Sequence, residues 1–318
     1  MTGRESGSRP GAAPFWPEGK AFAFTIMDDP DSQQLENGKR IYGLLGDLGF
    51  RTTKLVWPLA PTRAANSPGD TCADPPYLAD ARELAARGFE IGYHNATAHS
   101  STREETRQAL DAFREQFGHD PKVMANHYNA EAIYWGPARL GGGRRLVYNL
   151  LTRGRTRNRH FGHVEGHATF WGDLCRERIR YCRNFVFPEI NTLRACPWMP
   201  YHDRARPFVQ AWFSAAEGSN YASFISMLSE ANQDRLEAEG GASIVYTHFA
   251  HGFTPDGQLQ PRFRELMQRL SRKNGWFVPA GELLDHLAAR QASREIPPGA
   301  LAAMERRWLW GKWRRGTS

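Results

Sequence analysis

Strand-like and helix-like segments alternate along most of this chain, and that alternation is what most constrains its fold. Near the start, Phe22, Phe24 and Ile26 alternate with smaller residues, which is typical of a half-buried strand. The next segment carries Ile41 and Leu44 at helical spacing. Strands that alternate with helices in this way form parallel βαβ units, so the sequence predicts an α/β fold.

The predicted segments can be placed everywhere except in the middle of the chain. Strands are predicted from residue 21 and over 52–56, 90–93, 123–125, 183–187, 243–247 and 276–278. Helices are predicted over 36–48, 78–87, 101–117, 220–236, 263–270 and 282–289. Residues 130–175 do not fit the alternation, because they are dominated by glycine, arginine and histidine.

Polar side chains follow several of the predicted strands at the point where each strand ends. Asp28 and Asp29 end the first strand, and His94, His127 and His248 follow later ones. The carboxyl ends of parallel strands meet at one edge, where barrel and open-sheet enzymes carry their sites. The carboxylates indicate either a solvated turn or a site in which one Asp binds a metal and its neighbour transfers a proton.

A pair of histidines follows the predicted strand 90–93. The five-residue spacing of His94 and His99 is weak evidence alone, but both precede a capped helix. Two imidazoles and one carboxylate leave the fourth position of a tetrahedral metal open, which is the pattern of a catalytic zinc site.

Four segments resemble the polysaccharide deacetylases of the NodB-homology, or carbohydrate esterase, family. They are Thr-Ile-Met-Asp-Asp-Pro at 25–30, Glu-Ile-Gly-Tyr-His with a second His at 90–99, Ile-Val-Tyr-Thr-His at 244–248, and the closing segment 275–284. The resemblance covers about 20–125 and 240–290.

This resemblance implies a distorted (β/α)7 barrel and a metal-dependent hydrolase that removes N-acetyl groups from a glycan or glycan precursor. Matched position by position, Asp28 is the general base and His248 the general acid. Asp29, His94 and His99 match the ligands of a divalent metal, with zinc as the expected ion.

Two departures from the family pattern leave part of the site open. The family spaces its two histidines four apart rather than five, so His99 must be carried by a loop or bulge, or be replaced as a ligand by His127. The family's Arg-Pro-Pro-Tyr-Gly is here Ala-Asn-His-Tyr-Asn at 125–129, which lacks the arginine that orients the base. Asn126, His127 and Tyr128 are predicted to contact the substrate.

The chain divides into three predicted parts. Residues 1–18 are rich in Gly, Pro and Ser without an apolar stretch, which predicts a disordered leader and a cytoplasmic protein. Residues 19–291 are the barrel with an insertion at about 130–240. Residues 292–318 form a basic, Trp-rich tail, which indicates either peripheral membrane contact or a helix packed on the barrel.

The charge of the chain suggests an anionic partner. The formal net charge is +7, and the stretch from Arg139 to Arg159 carries seven arginines without an acidic residue. An N-acetylated carbohydrate with an anionic group is therefore the leading substrate hypothesis. The alternatives are hydrolysis of another amide on the same barrel, or carbohydrate binding without catalysis. Nucleic-acid binding is not expected, because no recognised binding module is present.

Overall fold

A closed ring of parallel strands forms the centre of the computed structural model, which describes residues 15–291 and 295–316. The strands are β1 (Phe22–Asp28), β2 (Thr53–Val56), β3 (Glu90–Tyr93), β4 (Val123–Met124), β5 (Tyr181–Phe187), β6 (Ala211–Glu217), β7 (Ala242–Thr247) and β8 (Gly275–Phe277). Strands β1 to β7 pair in sequence order, and β1 closes the ring by pairing with both β2 and β7. The predicted distorted (β/α)7 barrel is confirmed; β8 adds to β1 outside the ring.

The helices lie around this ring. They are α1 (Leu35–Asp47), α2 (Pro75–Ala86), α3 (Arg103–Phe117), α4 (Arg144–Leu151), α5 (Gly172–Arg178), α6 (Thr192–Ala195), α7 (Tyr221–Met227), α8 (Glu230–Ala238), α9 (Pro261–Ser271), α10 (Ala280–Ala288) and α11 (Pro298–Arg315). The capping box that starts α3 is the Thr102–Glu105 pair rather than Ser101–Glu104.

The ring is packed tightly at the motif that contains His94. Every residue of β1 and β2 is buried, as expected for strands covered on both faces. In β3, a Cβ on Gly92 would lie 2.8 Å from the carbonyl oxygen of Val123. Glycine is therefore required here, because it lets β3 and β4 approach each other just before the chain reaches His94.

The predicted insertion at about 130–240 is not a single insertion, because it contains two strands of the barrel. The prediction located β5 but missed β6, whose Ala-Trp-Phe-Ser-Ala-Ala-Glu sequence has few β-branched residues. The segment without strands runs from the end of β4 to the start of β5. It carries the helices α4 and α5.

The C-terminal tail packs against the segment between β4 and β5. Helix α11 contacts α4 and β5, and Trp308 is buried between them. The side chain of Glu305 is fully buried, where it accepts hydrogen bonds from the backbone N–H of Gly141 and pairs with Arg144. The predicted helix packed on the barrel is therefore present, whereas Trp310 and Trp313 of the same helix remain exposed.

The beginning of the described chain is also part of the fold. Trp16 is 2% exposed and stacks on His286, although it lies inside the predicted disordered leader of residues 1–18. Residues 1–14 of that leader lie outside the described part of the chain. All four cysteines are buried free thiols. Among the described residues, no helix is both long and apolar enough to cross a membrane.

Candidate metal and catalytic site

A cavity of about 560 Å³ lies at the carboxyl ends of the barrel strands. Its volume is within the range of small-molecule sites, about 300–1,000 Å³. The polar residues at its base come from within β5 and from the ends of β1, β3, β4 and β7. They are Asp29, Asp31, His94, Asn126, His127, Arg183 and His248.

Three histidines converge on one carboxylate, that of Asp31. The Nε2 atom of His127 lies 2.9 Å from Oδ1 of Asp31, and the Nε2 atoms of His94 and His248 lie 3.2 Å and 3.7 Å from Oδ2. Burial alone would raise the pKa of Asp31, but the His127 and His94 imidazoles lower it well below its usual range. Burial lowers the pKa of His94, which favours the neutral imidazole that a metal requires.

The tautomer of His127 is fixed by Asn129. The Asn129 amide nitrogen donates to the backbone carbonyls of Thr97 and His99 and to Glu131, so its Oδ1 faces the other way. That oxygen lies 3.0 Å from Nδ1 of His127, which therefore carries the proton and donates it to Asn129. In the neutral ring, the Nε2 lone pair is consequently aimed at Asp31.

His248 is oriented in the same way by a backbone carbonyl. Its Nδ1 lies 2.8 Å from the carbonyl oxygen of Ser219, to which it donates, so Nε2 points into the cavity. The Nε2 lone pairs of His127 and His248 therefore both face the Asp31 carboxylate. Because all three groups are hydrogen-bond acceptors, a proton or a cation must lie between them.

Asp29 lies beside this group and is held by an arginine. Nη1 and Nη2 of Arg183 donate to the two carboxylate oxygens of Asp29, at 2.8 Å and 2.6 Å. Both side chains are buried, and the guanidinium also lies 4.2 Å from the centre of the Tyr246 ring. The pair therefore fixes the Asp29 carboxylate, whose Oδ2 is 3.9 Å from Nε2 of His94.

The donor set fits a divalent metal such as zinc. A tetrahedral zinc with bonds of about 2.0–2.2 Å places its ligand atoms roughly 3.3–3.6 Å apart. The distances from the Asp31 carboxylate to the three imidazoles, 2.9 Å, 3.2 Å and 3.7 Å, bracket that range. The buried Oδ2 of Asp31 lacks a hydrogen-bond partner among the described residues. Asp29, Asp31 and His248 also have ligand atoms within 4.8 Å of one another. Both oxygens of Asp29 are engaged by Arg183, which favours His94 and His127 as the partners of Asp31.

Comparison with known proteins identifies the fold. No protein-family model matches the sequence, and no curated protein matches it. A solved structure described as a polysaccharide deacetylase from Mycobacterium smegmatis matches with a TM-score of 0.50 at 14% identity, over 90% of this chain and 97% of that one. The peptidoglycan deacetylase PdaC from Bacillus subtilis matches with a TM-score of 0.41 at 14% identity, over 86% of this chain and 94% of that one.

This chain has the fold of the polysaccharide deacetylases.

Within this deacetylase fold, Asp28 does not face the cavity. Asp29 continues the β1 ladder by donating its N–H to Thr247, and neighbouring strand residues point to opposite sides. The Asp28 carboxylate accepts hydrogen bonds from the side chains of Gln33 and Tyr42 and from the N–H of Phe249. Burial raises its pKa. The two adjacent carboxylates thus lie in different environments.

His99 is not brought to Asp29 and His94. Its Nε2 accepts a hydrogen bond from the N–H of Thr62 at 3.0 Å, and its ring lies outside the cavity. The five-residue spacing from His94 is the physical reason, since the intervening loop turns the second imidazole away. Its contribution to the site is indirect. The backbone carbonyl of His99 accepts a hydrogen bond from Asn129, whose side chain orients His127.

The residues predicted to contact substrate occupy different positions. Asn126 lines the cavity, but both ends of its amide bond to the backbone of Ile133. Tyr128 is 39% exposed at the rim and accepts a hydrogen bond from Arg159 at 2.6 Å. His127, the alternative to His99 as a ligand, lines the cavity, with its Nε2 2.9 Å from Oδ1 of Asp31.

Two central residues, Asp31 and Arg183, were missed from the sequence. The family motif covers residues 25–30 and therefore gives no role to Asp31, the next residue along the chain. The strand predicted over 183–187 begins at Arg183, and an arginine within the apolar sequence Tyr-Cys-Arg-Asn-Phe-Val-Phe is unusual. A charged side chain in a buried parallel strand needs a partner, and that signal could have identified it.

Proposed function

We propose that this protein is a metal-dependent hydrolase that removes N-acetyl groups from a glycan or glycan precursor. The observation that carries the proposal is the convergence of His94, His127 and His248 on Asp31, beside an Asp29 held by Arg183. This convergence supports a set of metal ligands, a base and an acid at one end of the cavity. The deacetylase fold supports the reaction class.

In this proposal Asp31, His94 and His127 hold the metal, which is zinc. A bound zinc ion would polarise the acetyl carbonyl and lower the pKa of a bound water. The hydrogen bond from Nδ1 of His127 to Asn129 keeps the lone pair of Nε2 directed at the ion.

Asp29 and His248 transfer protons. Asp29 takes the proton of the attacking water, because Arg183 holds its carboxylate at the cavity wall next to the metal ligands. His248 donates a proton from Nε2 to the departing amine nitrogen, with Nδ1 anchored to the carbonyl of Ser219. Compared with the roles expected from the resemblance, Asp29 replaces Asp28 as the base. Asp31 replaces Asp29 as a metal ligand, and His127 replaces His99.

Acetate release tests the proposal. The purified full chain is incubated with an N-acetylglucosamine oligosaccharide, with added zinc or after chelation, and acetate and free amine are quantified together. We expect equal amounts of both products, only with metal present, and loss of activity in Asp31→Asn. Tight sugar binding without product would favour a carbohydrate-binding protein. Turnover only of non-sugar amides would favour hydrolysis of another carbon–nitrogen bond.

A second part of the proposal concerns peripheral contact with an anionic membrane surface. An apolar surface patch on α4 and α11 is 47–79% exposed at Leu146, Val147, Leu150, Trp310 and Trp313. Basic residues of the same two helices surround it, namely Arg144, Arg145, Arg306, Arg314 and Arg315. Exposed Trp and Leu among basic residues are typical of interfacial helices. Cytoplasmic location stays a prediction.

Vesicle sedimentation tests this contact. We expect the protein to bind vesicles that contain phosphatidylglycerol and to remain free with phosphatidylcholine alone. Trp310→Ser with Trp313→Ser should abolish binding, whereas Val164→Ser, which removes an exposed apolar side chain elsewhere, should not. Equal sedimentation of all three proteins would contradict the proposal.

A further inference from the structure

Arg139 is a buried cation in the wall of the cavity. Its side chain is 2% exposed, and its guanidinium carbon lies 3.7 Å from the ring centre of Trp135 and 4.8 Å from that of Trp308. No carboxylate in the described part of the chain lies within ion-pair distance of it. Its protein hydrogen bond is a long one, 3.5 Å from Nη1 to the carbonyl of Asn184, and Nε has no partner among the described residues.

Other basic side chains line the same cavity. They are Arg153, Arg155, Arg183 and Lys312. Arg183 is engaged by Asp29, but its charge still acts on Arg139, and the charge of Arg139 acts on Lys312. Burial lowers the pKa of Arg139 to about 10, and burial together with the charge of Arg139 lowers that of Lys312 to about 8.

Such an arrangement is unfavourable by itself. Burying a cation without a counter-charge costs free energy, and placing like charges together adds to the cost. The two tryptophan rings hold the guanidinium in position and compensate only in part, since a cation–π contact contributes about 0.5–2 kcal/mol. An anion in this part of the cavity would supply the missing counter-charge.

We propose that Arg139, Arg153, Arg155 and Lys312 form a subsite for an anionic group of the substrate, a phosphate or a carboxylate. The inference rests on the proposed function, because it takes the cavity to hold the acetylated carbohydrate. The same cavity is lined by Asp31 and His248 at its base, so one ligand can reach both regions. Guanidinium groups suit phosphate and carboxylate because they donate two parallel hydrogen bonds.

Anion binding can be measured without turnover. The full chain is titrated with inorganic phosphate, and separately with glucuronate, at constant ionic strength, while tryptophan fluorescence reports on Trp135 and Trp308 next to Arg139. We expect saturable binding of at least one of the two anions. Arg139→Met should abolish it, and Arg153→Ser with Arg155→Ser should raise the Kd about tenfold, as expected for lost charge-assisted hydrogen bonds.

Arg157→Ser is the matched control. Arg157 is an exposed arginine of the same segment, but it does not line this cavity, so phosphate and glucuronate binding should be unchanged. If Arg139→Met does not fold, anion binding by the Arg153→Ser, Arg155→Ser double variant is compared with anion binding by Arg157→Ser instead. An equal loss of affinity in the Arg157 variant would indicate only general charge attraction and would overturn the proposal, as would absence of saturable binding of both anions.

Turnover gives the second measurement. With N-acetylglucosamine 1-phosphate and the neutral methyl glycoside as substrates, we expect a higher kcat/KM for the phosphorylated sugar. The Arg153→Ser, Arg155→Ser double variant should reduce that preference about tenfold. Equal kcat/KM values for the two sugars together with unaltered phosphate and glucuronate binding in the variants would exclude the subsite. Failure of deacetylation with anion binding that depends on Arg139 would leave the subsite standing and contradict only the proposed reaction.

Discussion

Arg183 on β5 donates two hydrogen bonds to the carboxylate of Asp29 at the end of β1, at 2.8 Å and 2.6 Å. The family pattern that the sequence resembles has an arginine that orients the base after the strand corresponding to β4, at the position of Ala125 in this chain. Here the arginine comes from the next strand of the ring. The two hydrogen bonds from Arg183 hold the carboxylate of Asp29, and not that of its neighbour Asp28, at the cavity wall.

The first prediction separates these two neighbouring carboxylates. Asp29→Asn should lower kcat about 10²–10⁴-fold, the usual contribution of a general base, while metal binding is retained. The asparagine can still accept one hydrogen bond from Arg183. Steady-state kinetics with metal analysis checks both statements.

Asp28→Asn is the matched comparison. It should destabilise the fold by about 1–3 kcal/mol, because the amide oxygen can replace Oδ2, which accepts from Gln33 and Tyr42, but the amide NH2 cannot replace Oδ1, which accepts from the N–H of Phe249. The folded variant should keep most of its kcat. Full activity of Asp29→Asn would contradict the assignment of Asp29 as the general base. The same holds if Asp28→Asn lowers kcat as much as is predicted for Asp29→Asn.

The second prediction concerns the stability of the buried ion pair. The side chains of Arg183 and Asp29 are both 3% exposed, so Arg183→Met leaves a buried carboxylate without its partner. We expect this variant to lose about 3–5 kcal/mol in the free energy of unfolding. Adding Asp29→Asn should restore part of the loss, with a coupling energy of about 0.5–3 kcal/mol in urea titrations. Strictly additive losses would show that the pair is not coupled.

The third prediction is a loss of stability in acid that depends on His160. Burial lowers the pKa of His160 to about 4 and that of His163 to about 4, from an unfolded value of about 6.5. Between these values the unfolded chain binds protons that the folded chain does not. Stability should therefore fall as the pH falls from about 6.5 to about 4.

Urea midpoints at several pH values measure this effect. His160→Gln removes one of the two groups and keeps a donor for the carbonyl of Asn129. Its midpoint should fall less between pH 6.5 and 4 than that of the unchanged protein. An identical decline in both proteins would assign the acid sensitivity to other groups.

The barrel could be predicted from the sequence because its strands are short, apolar and followed by periodic helices. β1, β3 and β7 are each followed directly by a polar residue that the motif identified, namely Asp29, His94 and His248. β6 was missed, since burial within the closed ring, rather than β-propensity, makes Ala211–Glu217 a strand.

The site was only partly predictable, because two of its features depend on the three-dimensional arrangement. Asp28 and Asp29 look equivalent in sequence, and only strand alternation together with Tyr42 and Arg183 assigns them to opposite sides. Likewise, the partners of His99 come from the loop after β2, which no local pattern specifies. His127 was recognised as an alternative because it also follows a strand end.

The most direct test of the account is the zinc affinity of His127→Gln and His99→Gln, measured by competition with a chromogenic chelator. The structure places His127 at 2.9 Å from Asp31 and His99 outside the cavity. We therefore predict that His127→Gln binds zinc at least about 100-fold more weakly than the unchanged protein. His99→Gln should lose about tenfold or less, because the carbonyl that accepts from Asn129 belongs to the backbone and is kept in the variant. Retained affinity in His127→Gln with loss in His99→Gln would contradict the ligand set proposed here.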